Sequence, residues 1–127
     1  MARSLAARGM ECLLIDSDTY PHNNLARPKI ASEISEVFDH FDLHGFDLPC
    51  CTWSRARRAP RWSPMPSALR SNASLMGLPD LCDRDKQKVA LHNVLLRRTV
   101  QWAKRSIRNG CSGYIENREV TFTLKRF

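Results

Sequence analysis

Leu43-His44-Gly45-Phe46-Asp47-Leu48-Pro49-Cys50-Cys51-Thr52-Trp53-Ser54 is the stretch that decides the fold. Leu43 to Leu48 reads as a strand, although Asp42, His44 and Asp47 weaken its apolar character. Pro49-Cys50 then makes a tight turn. A second short strand, Gly113 to Glu116, ends in Tyr114-Ile115-Glu116-Asn117, with Glu116 standing 66 positions after Cys50. Between them, Val89, Leu96, Val100, Ala103 and Ile107 recur at helical spacing, widened by Leu91, Leu95 and Trp102. Arg97, Gln101, Lys104 and Arg108 form the opposite face, and Gly110 supplies the stop. The spacing predicts a helix over about 83–109, capped by Asp80 or Asp83. A strand, a crossover helix and a second strand imply a parallel pair whose carboxyl ends share one edge.

The same alternation extends upstream. Met10 to Ile15 is a compact apolar run broken only by Glu11, and a buried strand is predicted over residues 10–16, ending at Asp16. Pro28 opens a helix whose inner face is Ile30, Ile34, Val37 and Phe38. Residues 2–8 read as a short helix closed by Gly9. The stretch 55–79 is rich in arginine and proline and reads as a long loop insert with little core of its own. Val120 to Leu124 reads as a final strand or a helical turn. The expected class is α/β, a single domain over 1–127 whose mostly parallel sheet is flanked by helices.

The chain has 127 residues and 20 Lys and Arg against 13 Asp and Glu, a net charge of +7. That excess suits a polyanionic partner, nucleic acid above all. Five cysteines, Cys12, Cys50, Cys51, Cys82 and Cys111, are odd in number and include no Cys-x-x-Cys pair. They disfavour a disulfide framework or a zinc module, and a reducing, intracellular setting is expected. His22, His40, His44 and His92 are scattered, so no metal site is expected. No apolar run reaches the length that spans a bilayer, and no membrane partner is expected.

The Pro-Cys turn and the Glu-Asn turn together resemble the catalytic loops of cytosine carbon-5 DNA methyltransferases, in a divergent form of the kind carried by mobile elements or viruses. The resemblance implies a partial Rossmann-like methyltransferase domain. It makes Cys50 the nucleophile that adds to carbon-6 of a flipped cytosine. Glu116 becomes the carboxyl group that protonates the ring nitrogen at position 3, and Asn117 the residue that fixes its loop. Asp16 becomes the acid that holds the ribose hydroxyls of S-adenosylmethionine. Ser54, Arg55, Arg57 and Arg58 become contacts to the nucleic acid, DNA being the expected partner.

The resemblance is partial. The 127 residues contain no Phe-x-Gly-x-Gly loop, no Gln-Arg-Arg-type segment and only Leu48-Pro49 where the family carries two prolines. The expectation is therefore weak or absent binding of S-adenosylmethionine by this chain alone, with activity dependent on a complementing chain. A different class of reading makes the chain a catalytically inactive, basic nucleic-acid-binding domain. A third makes it an unrelated small α/β domain.

Overall fold

The computed structural model describes residues 7–9, 11–15, 20–48, 52, 68–117 and 120–124, and only the backbone of Pro21, Asn117 and Val120–Leu124. The chain divides into two compact units, Met1–Ser35 and Glu36–Phe127.

In the first unit, Pro21–Asn23 forms a 3-10 turn. The Asn24 side chain accepts a bond from the Ala26 N–H at 2.9 Å, an Asx turn that leads into Pro28. Helix α1 spans Pro28–Val37, and the boundary between the units falls within it. Proline at its first position lacks only a donor that would be orphaned there anyway. Residues 7–9 form a turn in which Gly9 has a φ of +77°, as a helix stop requires. The predicted helix over 2–8 lies mostly outside the described residues.

The predicted strand over 10–16 is not formed at residues 11–15. These residues belong to no ladder, and Leu13 and Leu14 are 53% and 56% exposed. The first unit contains no strand among its described residues. An isolated apolar run has no ladder in which to satisfy its backbone groups, whatever its propensity.

The second unit holds the sheet. Strand β1 is Leu43–Asp47, β2 is Ser112–Asn117 and β3 is Val120–Leu124. The order is β1-β2-β3. β1 and β2 are parallel, with Leu43 opposite Ser112, Gly45 opposite Tyr114 and Asp47 opposite Glu116. β3 returns antiparallel to β2, so the sheet is half parallel rather than mostly so. Two residues separate β2 from β3, a connection that only a hairpin can use. The architecture is α/β.

Helix α2, Asp83–Arg108, is the crossover between the parallel strands and packs on both. At about 1.5 Å per residue its 26 residues run about 39 Å. Asp83 and Asp85 lie in its first turn, where carboxylates suit the positive end of the helix dipole. The N-cap is Cys82, not Asp80 or Asp83, and its thiol donates to Asp85 Oδ2 at 3.4 Å. The helix ends as the sequence predicts. Gly110 takes a φ of +73°, its N–H donates to Ile107 O at 3.1 Å, and Cys111 N–H donates to Ser106 O at 2.9 Å. That pair of bonds is a Schellman close.

The buried face of α2 differs from the predicted stripe. Val89, His92, Thr99, Trp102, Ala103 and Ser106 are buried, whereas Val100 and Ile107 are each 41% exposed. The helix is turned so that three polar side chains face inward. For His92 and Ser106 the reason is visible, since both find hydrogen-bond partners inside, and a satisfied polar group costs little to bury.

Packing is centred on Phe38, in the 3-10 turn Phe38–His40 that follows α1. Its ring stacks on His44 with centroids 3.9 Å apart and planes inclined by 3°. Trp102 lies 6.1 Å from it and Phe46 6.3 Å. The Arg105 guanidinium sits 5.5 Å from the same ring and also pairs with Asp39. That contact holds the Asp39 carboxyl below its usual pKa, Arg105 being the main cause.

His44 and Phe46 share the sheet face that α2 covers. The alternate residues Leu43, Gly45, Asp47, Ser112 and Glu116 are exposed and Tyr114 is half-buried. Among the described residues of this unit, helix therefore covers one sheet face, not two.

Candidate functional site

The predicted site lies at the carboxyl edge of the parallel pair. β1 brings Asp47, and β2 brings Glu116 directly opposite it. Leu48 N–H donates to Glu116 O at 3.1 Å, which continues the pairing one residue beyond the strand. Glu116 is exposed, so its carboxyl group is open to a solute. Asn117 ends β2 and pairs through its backbone with Val120. Cys50, Ser54, Arg55, Arg57, Arg58 and Asp16 lie outside the described residues.

Tyr114 was not anticipated from the sequence. It stands two residues before Glu116 and therefore on the same sheet face. A Cβ added to Gly45, its cross-strand partner, would lie 2.5 Å from the Tyr114 hydroxyl oxygen and 2.6 Å from the ring carbon that bears it. The tyrosine thus lies flat across β1 in space that only glycine leaves open. Its hydroxyl is pushed above its usual pKa by burial first, then by the negative charges of Asp47 and Glu116. It stays protonated at neutral pH and forms an apolar floor with a donor tip beside the two carboxylates.

A buried polar cluster that hydropathy patterning does not reveal joins Thr52, the loop 68–78 and α2. Thr52, three residues after Pro49, is 3% exposed, Arg70 3% and His92 7%. Arg70 Nη2 donates to Thr52 Oγ1 at 3.3 Å and to Val89 O at 3.4 Å. Arg70 Nη1 donates to Leu75 O at 2.6 Å and to Asn93 Oδ1 at 2.8 Å. Asn93 in turn donates to Met76 O at 2.8 Å. Arginine can only donate, so Thr52 accepts from it, and Thr52 Oγ1 lies 2.9 Å from His92 Nδ1, a bond whose direction follows the histidine tautomer. In the neutral ring with its proton on Nε2, Nδ1 accepts the Thr52 hydroxyl hydrogen.

Residues 68–79 are the described part of the stretch 55–79, which the composition predicts to be loop with little core. They do lack helix and strand, but Leu69, at 1% exposed, and Arg70 are among the most buried residues described. Leu78 N–H donates to Leu69 O at 3.0 Å and closes the loop on itself. The arginine-rich composition conceals one arginine that serves as an internal strut.

Burial lowers the His92 pKa, and the positive charges of Lys88 and Arg70 lower it further. The sign of the linkage follows. The unfolded histidine takes up a proton near pH 6.5 while the folded one resists it, so stability falls as pH drops below about 6.5. Urea midpoints should be flat above neutrality and decline towards pH 5.5. His92→Asn, which keeps an acceptor near the Nδ1 position without titrating, should remove that decline. A decline of equal size in His92→Asn would assign it to another group. Asp39 cannot account for it, because its contribution is present above 3.8 and lost only below that value.

A second histidine–hydroxyl pair is structural. His44 Nε2 donates to Phe38 O at 2.9 Å, and in the neutral ring Nδ1 accepts from Ser106 Oγ at 2.9 Å. Ser106 also lies 3.1 Å from Trp102 O. Ser106 is 0% exposed, so no substrate can reach this pair, and it ties strand, helix and turn together. Among the described residues no group of three His, Cys, Asp or Glu is placed to hold a metal ion. No helix among them is long and apolar enough to cross a membrane.

Comparison with protein-family models, with curated proteins and with solved structures finds no match.

Proposed function

We propose that the chain carries the base-side part of a DNA cytosine carbon-5 methyltransferase site on a Rossmann-like sheet, with Cys50 as nucleophile and Glu116 as acid. The supporting observation is the register of the parallel pair. Asp47 faces Glu116, and Leu48 is hydrogen-bonded to the Glu116 carbonyl. In the sequence Cys50 stands two residues beyond Leu48.

In this reading the Cys50 thiolate adds to carbon-6 of an extruded cytosine, and Glu116 delivers a proton to nitrogen-3 as the sulfur–carbon bond forms. Tyr114 offers its ring as a floor for the base. Asn117, the last residue of β2, is the residue that fixes Glu116 in this reading. The residues present do not fit the methyl donor: the sequence has no Phe-x-Gly-x-Gly loop, and residues 11–15 form no strand that leads to Asp16. This chain's own residues therefore account for the addition to carbon-6, and weak or no binding of S-adenosylmethionine by the chain alone is expected.

A second reading, a basic nucleic-acid-binding domain without catalysis, is favoured by the charge on α2. From Lys86 to Arg108 the helix carries Lys86, Lys88, Arg97, Arg98, Lys104, Arg105 and Arg108 and no acid. Arg97, Lys104 and Arg108 are exposed. Together with Ser54, Arg55, Arg57 and Arg58 they suit a phosphate backbone.

The two readings separate without the methyl donor. Reversible addition to carbon-6 makes carbon-5 basic, so its hydrogen exchanges with solvent before the thiolate leaves. Release of tritium from duplex DNA labelled at cytosine carbon-5 is the expected result. Cys50→Ser should abolish it, and Glu116→Gln should reduce it about 100-fold or more. Salt-sensitive binding with no release above buffer would leave only the second reading.

A further inference from the structure

The three residues Pro49, Cys50 and Cys51 are bracketed by two anchored neighbours. Upstream, Leu48 is held to β2 by its bond to Glu116 O at 3.1 Å. Downstream, Thr52 is buried, and its hydroxyl is engaged on both sides, by Arg70 at 3.3 Å and by His92 at 2.9 Å. Arg70 belongs to the loop 68–78 and His92 to α2, so Thr52 is where that loop and the helix are joined. Asn93, next to His92, holds Arg70 Nη1 at 2.8 Å and keeps the guanidinium aimed at the threonine. The threonine hydroxyl is the only group of Thr52 that these bonds use.

We propose that Thr52, Arg70 and His92 are positioning residues: a buried polar latch that governs the reactivity of Cys50, two positions before Thr52 in the sequence, with the Thr52 hydroxyl as its direct link. The latch rests on the reading of Cys50 as the reactive thiol, and none of its three members touches the base. Its logic is that of a reactive residue supported by a fully engaged polar group two positions away in the sequence. Valine has nearly the shape of threonine but neither donates nor accepts. Serine keeps the hydroxyl and loses only a methyl group. The pair therefore separates the hydroxyl's role from simple filling of space.

The test is the rate at which iodoacetamide alkylates Cys50 in a Cys51→Ser background, followed by peptide mass spectrometry. Cys12 and Cys82 are exposed free thiols in the same chain and serve as internal references. Thr52→Val is expected to change the Cys50-to-Cys82 rate ratio about fivefold, the scale of one lost internal hydrogen bond. Thr52→Ser is expected to restore the original ratio. A ratio within twofold of the original in Thr52→Val would overturn the latch, as would a change that serine fails to restore. If Thr52→Val does not fold, His92→Phe, which keeps a ring but offers no acceptor, is the second variant: the same shift supports the latch, and an unchanged ratio overturns it. The nucleophile reading fails separately, through absent tritium release, and that failure leaves the alkylation result to be judged by itself.

Discussion

Arg70→Met is expected to cost the unit Glu36–Phe127 about 3 kcal/mol, because four acceptors lose their donor at once. These are Thr52 Oγ1, Val89 O, Leu75 O and Asn93 Oδ1. Methionine fills much of the volume of the arginine stem and replaces none of its N–H groups. Arg70→Lys should recover less than half of the loss, since an ammonium group cannot reproduce the planar fork that serves both nitrogens. The measurement is the urea midpoint at pH 7.5, with an unchanged slope showing that the unfolding reaction is the same. Burial lowers the Arg70 pKa, but a guanidinium remains charged, so the loss should not vary with pH between 7 and 9. A cost under about 1 kcal/mol would mean that the loop 68–78 does not depend on its arginine.

The second large effect tests which way α2 faces. Trp102→Ala should cost about 3–5 kcal/mol, as expected for a buried indole truncated beside Phe38. Val100→Ala should cost under about 1 kcal/mol, because that side chain is 41% exposed. Pattern reading alone ranks Val100 with the centre of the stripe and makes Trp102 only its margin. Similar losses at the two positions would favour that pattern over the observed orientation. Ile107→Ala provides a second exposed reference.

The contrast shows what was legible. β1, α2 and β2 were readable within a residue or two: Pro49 marks the end of β1, and the helical period of α2 with Gly110 marks the end of the helix and the approach to β2. The parallel pairing followed from their order. The orientation of α2 was not readable, because a hydropathy stripe treats His92, Thr99 and Ser106 as outward residues. Two of them have partners 40 and 62 positions away, Thr52 and His44, and no local pattern announces such a pair. Glu11–Ile15 failed in the opposite sense. Its local signal for a strand is strong, but a strand exists only where another can pair with it. The placement of Glu116 at the carboxyl edge of the parallel pair was legible from the strand order. Tyr114 and its glycine partner were detectable in principle, as a bulky residue opposite a residue without a side chain. Arg70 was not, since its arginine neighbours carry the same letter.

The register of the parallel pair also constrains how the chain assembles in time. Leu43 and Ser112 are partners 69 positions apart, and the whole of α2 must be made between them. At about 5–20 residues per second of synthesis, β1 waits roughly 3–14 s for its partner. It waits with both edges unpaired, the condition in which apolar strands recruit one another. His44 and Asp47, which make β1 look a poor strand, and Asp42 just before it suit such a delay. A strand too polar to pair with its own copies can stay in solution until Ser112–Asn117 arrives to claim it.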